Sequence, residues 1–352
     1  MPAPTHALVA RMPKAELHLH LDGSLRPATA LELARARGLD EGMALGSISA
    51  RLRAPDRCLD QADLLRAFDL PVALLQDTEA LERVTHELVE DVATDGTRYV
   101  EVRWAPALHL ARGLSMRAGI AAVVRGARSG MATTGVHVRL IAVAMRSHAP
   151  DMSLAVATAS AGFVADGVTG FDLAGPEEAF PDPLLHEAAF AAAREAGLGI
   201  TLHAGEWGGA AQIRRALDVR PTRIAHGAPA VDDEDLQREL IARGVTLDLC
   251  PTSNVQAAIV ESLATHPLAR LARAGVPVTL STDDRTVSGL TLTLEYQRAV
   301  EVIGLSVAEL WATNWHALRV AFLHHDEGLR ASLLAEFEAF AAADPGLGGG
   351  PV

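Results

Sequence analysis

Histidines and carboxylates recur in this sequence at the ends of short apolar runs. His18, His20 and Asp22 alternate within 15–22, His203 opens His203-Ala204-Gly205-Glu206, His226 precedes Gly227, and Asp283 and Asp284 are adjacent. Alternate residues of an extended strand share a face, so His18, His20 and Asp22 project together. One reading is a half-exposed strand with Leu17, Leu19 and Leu21 turned inward. The other is a strand buried on both faces, with the imidazoles in the interior and a metal as their natural partner. His203 would then be a third nitrogen ligand and Asp283 an oxygen ligand. Three imidazoles and one carboxylate leave room for a water, the pattern of a catalytic zinc site, and the chemistry of such a site is hydrolysis. Glu206 reads either as a helix N-terminal acid or as a carboxyl swung over the site by the glycine turn before it. Asp283 and Asp284 read either as helix caps or as an inward ligand followed by an acid facing substrate.

The elements that must position these residues are legible as eight β-rich runs, at 15–22, 97–104, 136–145, 168–175, 198–205, 222–227, 245–250 and 276–284. Ala/Leu/Arg-rich helical stretches separate them, two of the clearest at 182–196 and 232–243, with acids first and basic residues or glycine last. Gly135, Gly167, Gly197, Gly244 and Gly275 each close such a stretch just before a strand. Alternation of this kind demands parallel pairing with right-handed crossovers, so the spacing predicts an α/β fold: a closed (β/α)8 barrel of the TIM type. An open dinucleotide-binding sheet would need a glycine-rich phosphate loop after the first strand, and Asp22-Gly23-Ser24-Leu25 is not one. In a barrel the C-terminal strand ends form the catalytic rim, which is where the histidines and acids fall. About 75 residues separate the first two strands, more than one crossover helix needs. Residues 45–78 are therefore expected to be an inserted helical lid, with Asp60 as an N-cap and Leu64, Leu65 and Phe68 on one apolar face. A small helix packed on the rim would show the same stripe. Residues 1–345 are expected to form one catalytic domain and the glycine-rich 346–352 a flexible tail.

Composition narrows the partners. The 352 residues are 49% hydrophobic and 21% charged, ordinary values for a globular chain, with a net charge of −13. So acidic a chain is not drawn to phosphate backbones or anionic lipid, which argues against nucleic-acid and membrane-surface partners. No run is apolar enough to span a bilayer, and the N-terminus lacks the apolar core of a signal peptide. Two distant cysteines, Cys58 and Cys250, make no disulfide framework, and a reducing cytoplasm fits them.

Pro13-Lys14-Ala15-Glu16-Leu17-His18-Leu19-His20-Leu21-Asp22-Gly23-Ser24 resembles the opening motif of the adenosine deaminase family, within the amidohydrolase superfamily. His203-Ala204-Gly205-Glu206 resembles its second motif and Ser281-Thr282-Asp283-Asp284 its last. Arg223-Ile224-Ala225-His226-Gly227 and Cys250-Pro251-Thr252-Ser253-Asn254 fall between them in the family's order. The resemblance implies that His18, His20, His203 and Asp283 ligate one zinc ion. It implies that Glu206 gives a proton to N1 of the purine and that His226 orients and deprotonates the attacking water. Asp284 would bond N7, the Gly175 N–H would bond N3, and Asp22 would take the ribose 5′-hydroxyl, with His20 beside the substrate as well as the metal. The implied reaction is hydrolytic deamination of adenosine and 2′-deoxyadenosine, with adenine, aminodeoxyfutalosine or a non-catalytic nucleoside-binding role as alternatives. The implied partner is a small purine nucleoside. Binuclear members of the superfamily often bridge two metals with a carbamylated lysine near the end of the fourth strand. The only lysine here is Lys14, at the entrance of the first strand, so one metal is expected. Two positions depart from the family pattern: Arg285 follows the paired aspartates where proline is common, and Trp104 ends the second strand where a smaller aromatic is commoner.

Overall fold

A computed structural model describes residues 4–40, 42–344 and 347. Eight strands follow one another around a single sheet: β1 (Lys14–His20), β2 (Thr97–Trp104), β3 (His137–Met145), β4 (Val168–Ala174), β5 (Gly199–Ala204), β6 (Arg223–His226), β7 (Thr246–Leu249) and β8 (Val278–Leu280). Each pairs in parallel with the next. The ring closes where Leu19 bridges Asp283, the His20 N–H donating to the Asp283 carbonyl at 2.7 Å and the Asp283 N–H to that of His18 at 3.0 Å. The expected (β/α)8 barrel is the observed fold.

Leu17, Leu19 and Leu21 are fully buried in the main apolar core while His18 and His20 turn into the barrel, so β1 is buried on both faces. The half-exposed reading of this strand is therefore wrong. The five predicted glycines all have positive φ, and Gly135 and Gly244 end their helices at φ of 75° and 64°. The predicted runs overshoot the strand ends by one residue at β4, β5, β6 and β7 and by more at β1 and β8. β1 stops at His20, and Asp22 lies in a short 3₁₀ turn, Asp22–Ser24. β8 stops at Leu280, so Asp283 and Asp284 stand in the turn beyond it. The helix expected over 182–196 is a 3₁₀ turn, Pro183–His186, followed by a helix, Glu187–Glu195. The one at 232–243 runs Glu234–Arg243, with the Asp233 side chain capping it through the Leu236 N–H.

The excursion after β1 is helical, with helices Leu45–Arg51, Gln61–Leu65 and Asp69–Leu74. Asp60 caps the second of these by accepting from the Asp63 N–H at 2.8 Å. Cys58, Leu64 and Ala67 pack with Ala257 and Val287, a small cluster separate from the main core. The excursion thus rests on the loops after β7 and β8. Of the tail expected at 346–352, Leu347 is buried in the core, and the rest lies outside the described residues. No helix among the described residues is long and apolar enough to cross a membrane, and Cys58 and Cys250 are both free and buried.

Candidate active site

Four ligand atoms converge at the C-terminal mouth of the barrel. His18 Nε2 lies 2.9 Å from Asp283 Oδ1 and 3.3 Å from His20 Nε2. His20 Nε2 lies 3.2 Å from His203 Nε2 and 3.4 Å from Asp283 Oδ1. A tetrahedral ion with bonds of about 2.05 Å has ligand–ligand edges of about 3.3 Å, so the cluster has the dimensions of a transition-metal site. Burial pulls the His18 ring well below its ordinary range and the His20 ring down to about 3, which leaves both neutral with lone pairs to offer. Two of the groups at this point stand on strained backbone. His226 and Asp283 have φ of 66° and 68°, a conformation side-chain-bearing residues adopt rarely, and it aims the imidazole and the carboxylate at the barrel axis.

These side chains are themselves held. His203 Nδ1 bonds Asp172 at 3.1 Å, and Arg103 donates to that same Asp172 carboxylate at 2.9 Å. Ser253 donates to Asp283 Oδ2 at 2.7 Å. Such outer partners orient the ligand rings and raise their basicity. Lys14 lies at the far end of β1, its Nζ donating to the carbonyls of Met12 and Asp95 at 2.9 Å each, remote from the mouth.

Three carboxyls surround the cluster without cations of their own. Burial pushes Glu206 up to about 8 and Asp22 up to about 6. Asp284 is pushed well above its ordinary range by burial and by Asp283, Asp22 and Glu206. Asp22 Oδ1 and Asp284 Oδ1 are buried with no hydrogen-bond partner. Glu206 Oε1 stands 3.8 Å from His226 Nε2. The space they line, its open mouth included, is about 700 Å³ and is walled by Ala105, Leu108, Val143, Met145, Ala174 and Gly175, with Leu64, Leu65 and Phe68 from the excursion across it. Every residue proposed from the sequence is thus at this mouth: His20, Asp22, Gly175, His203, Glu206, His226, Asp283 and Asp284 line the cavity, and His18 lies beneath. Trp104 and Arg285 are not on its wall. Trp104 is buried in the core, and Arg285 pairs with Asp95 at 3.2 Å.

Sequence reading missed Glu177. Its buried carboxylate accepts from the backbone N–H groups of Gly205, Trp207 and Gly208 at 2.7, 2.8 and 2.9 Å, clasping the turn that carries Glu206. Nothing local marks this, since the contact spans about 30 residues of chain. Asp172 did leave a signal, a lone charge inside the apolar run of β4.

A parallel barrel with a His/Asp cluster at its C-terminal mouth defines a metal-dependent hydrolase of the amidohydrolase type. The family model described as adenosine deaminase matches residues 13–338. Adenosine deaminase of Clostridium perfringens is 35% identical over 328 residues, spanning 92% of this chain and 98% of that protein. The chain belongs to the adenosine deaminase family, and it is a hydrolytic deaminase of adenosine-like substrates. Among solved structures, a zinc-bound amidohydrolase from Burkholderia ambifaria superposes with a TM-score of 0.86 at 25% identity, covering 98% of this chain and 96% of that one. An adenine deaminase from Arthrobacter aurescens superposes with a TM-score of 0.85 at 29% identity, covering 94% and 99%. Structures of the same fold from Arabidopsis hold the small-molecule nucleotides IMP and GMP.

Proposed function

We propose that this chain hydrolyses adenosine and 2′-deoxyadenosine to inosine and 2′-deoxyinosine with release of ammonia, using one zinc ion per chain. The observation that carries the reading is Glu206: a buried carboxyl, held protonated near neutral pH, facing a cluster with the dimensions of a metal site. His18, His20, His203 and Asp283 would hold the ion. When bound there, zinc supplies Lewis acidity that makes hydroxide available near neutral pH.

The protein's own groups do the rest. C6 of adenine is a poor electrophile, and a proton from Glu206 to N1 withdraws electron density from it. Asp284 keeps its proton and donates to N7, and the Gly175 N–H bonds N3. His226 faces the attacking oxygen. Leu64, Leu65 and Phe68 act as a lid that keeps water from the proton-transfer path. Asp22 accepts the 5′-hydroxyl of the ribose. The absence of a second lysine supports a single metal, and the buried free thiols support a cytoplasmic setting.

The cavity wall favours a nucleoside over a nucleotide. It carries Asp22, Glu206, Asp283 and Asp284 and no Lys or Arg. A phosphate placed about 4 Å from an ionised carboxylate is repelled by roughly 1–4 kcal/mol. Adenine, in turn, has no sugar for Asp22 to bind. Comparison of kcat/KM for adenosine, 2′-deoxyadenosine, adenine, AMP and aminodeoxyfutalosine at the purine absorbance tests this, with the first two expected to lead by about tenfold or more. A preference for AMP or adenine would sink the substrate assignment. Elemental analysis of active protein should give one zinc per chain.

A further inference from the structure

Five groups, not four, offer ligand atoms at the mouth. The His226 ligand atom lies within 4.8 Å of those of His18, His203 and Asp283. His226 Nε2 is buried, 3.7 Å from Asp283 Oδ2 and 3.8 Å from Glu206 Oε1, with no hydrogen-bond partner. Whether this ring can enter a metal's coordination shell depends on which of its nitrogens carries the proton.

A chain of buried hydrogen bonds answers that question from the other side of the ring. It begins at a backbone N–H, the one group in it whose donor role is fixed. The Leu268 N–H, in the first turn of the helix Leu268–Arg273, donates to His266 Nδ1 at 3.2 Å. His266 is buried, and burial holds its pKa down to about 3, so the ring is neutral. With Nδ1 accepting, its single proton sits on Nε2. That nitrogen lies 3.1 Å from Asn254 Oδ1 and donates to it. The Asn254 amide is thereby oriented, and its Nδ2 donates to His226 Nδ1 at 3.0 Å. His226 Nδ1 accepts, which leaves the neutral ring its proton on Nε2. Asn254 is fully buried, so no solvent competes at either bond. Reversing the amide would set the Asn254 Nδ2 hydrogens against the His266 Nε2 hydrogen.

We propose that His266 and Asn254 are positioning residues that fix His226 as the tautomer protonated on Nε2, so that it meets the reaction as an N–H donor and is barred from binding the metal. This rests on the deaminase reading only for what the donor acts on; the tautomer belongs to the folded chain. It separates His226 from His18, His20, His203 and Asp283, among which it stands, since its Nε2 has no lone pair to offer. It also revises the role implied by resemblance. In this tautomer His226 holds the attacking oxygen by donating to it and does not begin as its base.

The test is two-bond ¹H–¹⁵N correlation on full-length, zinc-loaded protein labelled at histidine, with His226 assigned by the peaks lost in His226→Gln. The expected pattern is a pyridine-type shift at Nδ1 and a pyrrole-type shift at Nε2. A proton on Nδ1, or a metal-bound shift at Nε2, overturns the proposal. In Asn254→Asp both facing rings must donate to the new carboxylate, so the two His226 shifts should exchange. In His266→Leu they should average between the two forms, and in His266→Gln, which keeps an amide donor, the original pattern should return. Unchanged His226 shifts in Asn254→Asp would also overturn it. None of these readouts requires turnover, so a protein that deaminates no purine can still pass, and an active adenosine deaminase can still fail.

Discussion

The two ends of the barrel interior handle buried charge in opposite ways. Toward the N-terminal end, Arg223 pairs with Glu101 and lies 3.3 Å from Asp248, and Tyr99 donates to Glu101 at 2.8 Å; a layer above them, toward the strands' C-terminal ends, Arg103 pairs with Asp172. Each buried anion there has a cation or donor beside it. At the mouth, Asp22, Glu206 and Asp284 crowd together with no cation between them, and two of their oxygens have no partner. Burial without a cation raises all three, enough to hold a proton near neutral pH on Glu206 and Asp284, whereas below them Arg223 and Arg103 oppose the rise that burial causes at Asp248, and Asp172, beside His203 and Arg103, is held below its ordinary range. The lower end resembles a structural lock, and the mouth resembles a site built to hold and give protons. Arg103 and Asp172 join the two, since Arg103 lies 3.9 Å from Asp248 below while the Asp172 carboxylate that it pairs with also binds His203 at the mouth.

The contrast breaks most visibly at Arg223. Arg223→Met removes the cation from Glu101 and Asp248 and should cost about 3–5 kcal/mol of unfolding free energy. Chemical denaturation reads this, while kcat per folded molecule should stay near that of the parent; a loss below about 1 kcal/mol would mean the lower network is not a lock. Glu206→Gln at the mouth should do the reverse. Activity should fall by at least about 10²-fold, because the amide has no proton to give N1. Zinc content should be retained and the melting temperature should not fall, since an unfavourable buried acid has been removed. Near-normal turnover in zinc-loaded Glu206→Gln would remove Glu206 from the chemistry.

Asp172→Asn tests the joint between the regions. Weakening the support of His203 should lower zinc affinity by about 10–100-fold in competition with a chelator. An unchanged affinity would leave Asp172 with the lower network alone. At Lys14, at the very bottom, the expected effect appears only as pH is varied. Burial lowers its pKa from 10.5 to about 8. Between those two values the unfolded chain holds a proton that the folded one has lost, so stability should rise with pH across that window, by up to about 3 kcal/mol. Lys14→Met should flatten the rise, and a parent protein whose stability falls monotonically from pH 8 to 10 would contradict it.

Much of this molecule was legible in one dimension. The eight strands follow from alternating apolar runs and helix-closing glycines, because hydrophobic periodicity and left-handed caps are local properties. His18 and His20 share a face by the geometry of a strand alone. Glu206, His226, Asp283 and Asp284 were legible as strand-end residues on one rim, since a parallel barrel puts all its C-terminal ends together. The residues whose duty is to hold others were not legible in that way. Glu177 reaches a turn far along the chain, and His266 acts on His226 only through Asn254.

What the sequence determined by itself was the fold class, the rim on which chemistry gathers and the residue types available there. Only the tertiary structure decided that Asp22 sits in a turn and not on β1. It also decided that Asp283 closes the barrel from a left-handed backbone, and that Trp104 and Arg285 stay off the cavity wall. It decided protonation as well: Glu206 and Arg223 are each buried, yet one lacks a counter-charge and the other has two. A side chain's type and spacing are carried by the chain itself, but its charge state and its hydrogen-bond direction are set by neighbours that only folding brings within reach.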